Sequence, residues 1–155
     1  MRVAVALALV CATVLAGCGG GGAATRAART STASSGGPVL LGAKGFLTDR
    51  VGWGTPHPNR IDGGGDPALV ITRIDWHGWG DRVARGVGRT AAYRLGGSYY
   101  AKLVRAELRA YRIGRCRPNG PRTYMALEVR TQARPRARMG PWYAWGGEHG
   151  LCSYP

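Results

Sequence analysis

The chain has 155 residues and a formal charge of +14, enough for one ordinary domain behind a leader segment and too short for several. Its bases are twenty arginines and two lysines against eight acids, which points to anionic partners: nucleic acid inside a cell, acidic or phosphate-bearing polymers and lipid headgroups outside it. The sequence contains no Gly-x-Ser-x-Gly elbow, His-Glu-x-x-His pair or phosphate loop, so the common signatures of nucleophilic, zinc and nucleotide chemistry are missing and no cofactor is implied.

Met1-Arg2 opens the chain and is followed by an apolar run, Val3 to Gly17, shorter than the roughly 20 residues a membrane-spanning helix needs. One base, an apolar stretch and small residues at its end have the layout of a secretory signal. Leu15-Ala16-Gly17-Cys18 resembles the bacterial lipoprotein signal. That resemblance implies cleavage before Cys18, a diacylglyceryl group on its sulfur, and anchoring at the extracytoplasmic face of the cell membrane. The organisation expected is a signal at 1–17, an acylated cysteine and tether at 18–37, and one folded domain at 38–155. The tether is Gly, Ala, Ser and Thr with Arg26 and Arg29, a composition that buries little and reads as coil. Nineteen residues of such coil span roughly 24 Å.

The domain reads mainly as strands. Thr55-Pro56-His57-Pro58-Asn59 is a rigid turn. Residues 68–76 are rich in β-branched side chains, with Val70, Thr72, Ile74 and Trp76 on one face at period two. Gly86-Val87-Gly88-Arg89-Thr90-Ala91 matches a dinucleotide fingerprint, but no helix of adequate length follows, and an exported protein meets little NAD. Residues 102–112 suit a half-buried strand; an amphipathic helix there, giving an α+β fold, is the alternative. Residues 124–131 alternate, with Met125, Leu127 and Val129 expected inward and Glu128 and Arg130 outward. Arg117-Pro118-Asn119-Gly120-Pro121 joins the two strands as a turn. The fold expected is all-β, a small, mostly antiparallel sandwich or barrel.

Cys11 leaves with the signal and Cys18 is taken by the lipid, which leaves Cys116 and Cys152 to form a disulfide in an oxidising compartment. The histidines are scattered, so a metal site is not expected. Trp76-His77-Gly78-Trp79-Gly80 and Trp142-Tyr143-Ala144-Trp145-Gly146 share the pattern Trp-x-x-Trp-Gly. These tryptophans pack a core or, on the functional reading, stack on sugar rings. Trp142 and Trp145 also stand near Cys152 and are candidates to pack on the disulfide. Ile74-Asp75-Trp76-His77-Gly78-Trp79-Gly80 with Ala84-Arg85-Gly86-Val87-Gly88 resembles a family of small secreted or lipid-anchored domains common in actinobacteria. The resemblance implies an extracytoplasmic address and no particular chemistry.

Ten arginines and two acids, Glu107 and Glu128, fall between positions 105 and 138. Arg105, Arg109 and Arg130 are therefore candidate contacts for anions, beside Trp76, Trp79, Trp142 and Trp145 as candidate stacking residues. The function expected is that of a non-catalytic envelope lipoprotein, binding the membrane through its anchor and anionic envelope polymers, lipid headgroups or a partner protein through its domain, with nucleic acid disfavoured by the address. A glycan-binding module built on the tryptophan pairs is the second reading. An envelope hydrolase or transferase using Glu148, His149 or Asp75 is the third.

Overall fold

A computed structural model describes residues 37–47, 50–145 and 150–152. The leader, Cys18 and the tether up to Gly36, together with Glu148 and His149, lie outside the described residues. Every core residue named below belongs to the compact unit Ser34–Pro155, which holds its own hydrophobic cluster and disulfide and so is equipped to fold on its own.

Nine strands account for nearly all regular structure: β1 (Leu40–Leu41), β2 (Arg60–Asp62), β3 (Val70–His77), β4 (Val83–Thr90), β5 (Tyr93–Arg94), β6 (Ser98–Tyr99), β7 (Val104–Arg115), β8 (Arg122–Thr131) and β9 (Tyr143–Trp145). Seven of them build one sheet in the order β2-β3-β4-β7-β8, and β1 and β9 share the far side of β8. β1 runs parallel to the start of β8, and β9 runs antiparallel to its end. The sheet curls into a half-barrel around the core, and β5 and β6 form a separate hairpin. Residues 104–115 are therefore strand, and the helix considered for 102–112 is not formed. The strand wins because Val104, Ala106, Leu108 and Ala110 are all buried at period two while both neighbouring strands complete its hydrogen-bond ladders.

Two parity changes depart from simple alternation. In β3, Ile71 and Ile74 are the buried residues, and Val70 and Thr72 are only half-buried. Thr72 pairs with Arg89 and Asp75 with Val87, so Arg73 and Ile74 together face Gly88 in a β-bulge, with Arg73 at φ 53°. A bulge adds one residue and moves the inward set from odd to even numbers. The second change affects β7 and β8 together. Ala110 and Leu127 face the core as partners, but the next inward pair is Ile113 and Tyr124, with Arg112 between at φ 60°. Met125, expected inward, instead lies over Gly114, and Tyr124 takes the core position.

β4 carries its bulk outward. Ala84, Gly86, Gly88 and Thr90 are buried, and Val83, Arg85, Val87 and Arg89 point away. The small residues leave space for large ones on β3. A Cβ added at Gly86 would lie 3.0 Å from the Trp76 ring, and one at Gly88 would lie 2.7 Å from Ile71 Cγ2. The glycines of the apparent dinucleotide fingerprint are thus packing glycines of a central strand.

The end of the chain is tied to β8. Leu151 is fully buried and donates its N–H to Met125 O at 2.8 Å, and Cys152 is bonded to Cys116 with 5.1 Å between the α-carbons. A crosslink over 36 positions stabilises a fold by about 4 kcal/mol in the chain-entropy description.

Candidate anion-binding cleft

The tryptophan motif of β3 builds one wall of the candidate site. After His77 the chain turns through Gly78 to Arg82, with Asp81 N–H donating to Gly78 O at 3.0 Å. The turn is fastened to the core by Tyr124, whose hydroxyl donates to Asp81 O and accepts from Gly80 N–H, both at 2.8 Å. Tyr124 has no exposed surface, and burial pushes its phenol above the usual tyrosine range. Trp79 packs edge-on against Tyr124 and Trp76, and its indole N–H donates to Val39 O at 2.8 Å. The Trp76 N–H donates to Pro58 O at 2.9 Å, and His57 lies over the Trp79 ring. Both indole donors are therefore committed to backbone carbonyls, and both rings are half-buried against the core.

Arg82 leaves this fastened turn beside the ends of β7 and β8. There a cleft of about 930 Å³ is lined by Arg82, Arg112, Arg115 and Arg122, with Gly80, Val83, Tyr111, Ile113 and Gly114 completing it. Four arginines line it and, among the described residues, no Asp or Glu. Arg115 and Arg122 are direct cross-strand partners. Alternation puts them on the side of Ile113 and Tyr124, just past the end of the core. Arg115 also donates to Gly120 O in the turn, which braces its guanidinium.

Like charges directly opposite each other destabilise a sheet. This sheet contains three such pairs: Arg85 with Arg109, Arg89 with Arg105, and Arg115 with Arg122. The first is relieved by Glu128, which takes an ion pair from Arg109. The second is relieved by Glu107, which accepts from Arg105 at 2.9 Å and from Arg130 at 2.6 Å. Hydrogen bonds from Arg130 and then Arg105 hold the Glu107 carboxyl below the usual carboxylate range, against some opposing desolvation. Arg115 and Arg122 have no ion pair among the described residues.

The sequence-derived candidates separate accordingly. Arg105, Arg109 and Arg130 are brought together on the outer face of β7 and β8, bound to the two glutamates, with Trp142 stacked 4.5 Å from the Arg109 guanidinium and 4.6 Å from that of Arg130. Trp145 is buried against Trp53, with 5.8 Å between ring centroids. Asp75 lies 3.5 Å from His77 on the exposed side of β3, His77 pairs across the sheet with Arg85, and among the described residues no third His, Cys, Asp or Glu gathers with them. A second depression of about 570 Å³ holds Arg50, Arg89, Asp62 and Asp66. Its carboxylates are engaged, Asp62 by Arg50, Arg60 and Gly64 N–H, and Asp66 by Ala68 N–H and Tyr99 O–H. Among the described residues no three His, Cys, Asp or Glu side chains gather as a metal site would need.

No family model, curated protein or solved structure matches this chain. Geometry alone therefore nominates the site. Sequence reasoning missed Arg82, Arg112, Arg115 and Arg122 as a group, although one signal was present. A turn centred between Pro118 and Asn119 sets Arg115 opposite Arg122, a like-charge pair with no acid between positions 108 and 127.

Proposed function

We propose that this protein is a non-catalytic envelope lipoprotein, anchored through Cys18, whose β-domain binds phosphate-bearing anionic polymers of the cell envelope in the arginine cleft. One observation carries the proposal. Among the described residues the sheet neutralises two of three Arg–Arg pairs with glutamates and leaves the third, without an ion pair, beside a cleft with two further arginines. Four arginines lining a concave surface match a chain of phosphates, because a guanidinium forms charge-assisted, often bidentate, hydrogen bonds with phosphate oxygens. The address comes from Leu15-Ala16-Gly17-Cys18 and supplies the class of polyanion, since wall polymers are reached there and cytoplasmic nucleic acid is not.

Titration of the Ser34–Pro155 domain with soluble polyphosphate tests the binding half. Affinity should fall steeply as salt rises, because association releases counterions and added salt shortens the reach of each charge. Arg115→Gln with Arg122→Gln should weaken binding by tenfold or more, each charged hydrogen bond being worth about 1.5–3 kcal/mol. Equal binding by wild type and the double variant would refute the cleft. The intact mass of the membrane-bound protein tests the anchor, with acyl chains on Cys18 as the expected result.

A further inference from the structure

Between β4 and β7 the chain leaves the main sheet for a hairpin that carries no acid. It runs Ala92-Tyr93-Arg94-Leu95-Gly96-Gly97-Ser98-Tyr99-Tyr100-Ala101-Lys102-Leu103. Its stem is held upright. Tyr93 pairs with Tyr99 and their rings meet edge-on at 5.4 Å; Tyr100 N–H donates to Ala92 O at 3.0 Å; Tyr99 O–H donates to Asp66 Oδ1 at 2.9 Å. Asp66 itself caps the turn Pro67–Leu69, so the hairpin is braced on a fixed point. At its tip Leu95 is 100 % exposed; Tyr93 is 57 % and Leu103 48 % exposed. Isolated exposed leucines are ordinary on protein surfaces. A leucine held clear of the fold on a stem braced by a tyrosine pair, with Arg94 next to it and Lys102 at the stem's base, is a narrower arrangement.

We infer that this hairpin is a membrane-interface element, inserting Leu95 below the headgroups of an anionic bilayer with Tyr93 at the headgroup level and Arg94 and Lys102 on lipid phosphates. Down the stem from Leu95 come Arg94, paired with Ser98, and then Tyr93, paired with Tyr99, so a base and an exposed tyrosine both stand just behind the apolar tip. Tyrosine favours the bilayer boundary because its ring is apolar and its hydroxyl wet, and a long basic side chain reaches the phosphates from there. Charge complementarity selects the lipid: two bases with no acid across the segment, each worth roughly a fivefold gain near an anionic leaflet. The reach is sufficient. β1 enters the sheet beside Thr123 and Tyr124, at the cleft end, and the hairpin follows Thr90 at the other end of β4, about 24 Å away. The chain outside the described residues is long enough: positions 19–37 are nineteen residues, and flexible chain of that length spans roughly the same distance, so a domain anchored at Cys18 can lay the hairpin on its own membrane.

The test uses the Ser34–Pro155 domain, which lacks the leader and anchor, with vesicles of phosphatidylcholine containing about one third phosphatidylglycerol. The domain should sediment with these vesicles, and Leu95→Asp should reduce the bound fraction's partition coefficient about tenfold, the loss for withdrawing one leucine from apolar surroundings. Leu95 has no native contacts to lose, so the variant folds as wild type. A polarity-sensitive fluorophore on Leu95→Cys should shift to the blue with these vesicles, and should still do so when Arg115→Gln and Arg122→Gln remove the cleft charges. Unchanged partition of Leu95→Asp would overturn the inference and assign vesicle binding to the cleft. A label that does not shift would overturn it as well. So would lipid-free dimers that Leu95→Asp dissolves, which would make the tip a contact between copies of the chain.

Discussion

Glu107 shows how single residues hold the outer face of the sheet together. It receives Arg130 from β8 and Arg105 from its own strand, while its pairing partner across β4 is the apolar Val87. Its carboxyl titrates below the ordinary range because the charged form is hydrogen-bonded in the fold and loses those partners on unfolding. The stabilisation is therefore fully present above the unfolded value of about 4.3 and disappears as pH falls through the lower folded value. Urea unfolding of wild type and Glu107→Gln across this range should show wild type more stable by about 0.5–1 kcal/mol near neutrality. The two should converge in acid. A gap that stays constant from neutral to strongly acid pH would contradict the role given to Glu107.

Strands show which parts of the structure a period-two pattern reveals. Leu127 and Val129 are inward as alternation requires, and residues 104–110 follow the same rule. The rule fails where a strand gains a residue or coils sharply, because parity then reverses without any trace in composition. Arg73 and Arg112 adopt positive φ at these points although neither is a residue type that favours it. β4 was obscured for a different reason: its inward residues are Ala, Gly, Gly and Thr, so the strand reads as a loop or a nucleotide fingerprint until the bulk of Ile71, Ile74 and Trp76 is set against it. Gly88→Ala tests that explanation. The new methyl would meet Ile71 and the Thr72 carbonyl, so stability should fall by about 1–3 kcal/mol. Unchanged thermal unfolding would mean that the bulge has slack the geometry does not show. The cysteine pair, by contrast, was legible outright, since setting aside Cys11 and Cys18 in the leader-like segment leaves one pairing. The cleft was not legible, because its arginines come from the β3–β4 turn, a twisted point of β7 and both flanks of the β7–β8 turn.

At the scale of the molecule, the ladder of β4 and β7 separates two chemistries. Arginines gather beyond the Val83 end, and the Leu95 hairpin rises beyond the Thr90 end. Taken together, the two proposals give a domain that rests on its membrane through the hairpin and turns its cleft toward the polymers above. Binding sites are often maintained at some expense to stability, and here that tension can be assigned to one pair of residues. Arg115 faces Arg122 with no carboxylate paired to either among the described residues, a repulsion of about 0.2–1 kcal/mol that a phosphate would relieve. Arg122→Thr, measured for both polyphosphate affinity and urea unfolding, is therefore the most direct test of the cleft. The account predicts opposite signs: affinity falls about tenfold, and the ligand-free domain becomes more stable by a few tenths of a kcal/mol or more. A variant that binds polyphosphate as well as wild type, or that is less stable without ligand, would contradict it.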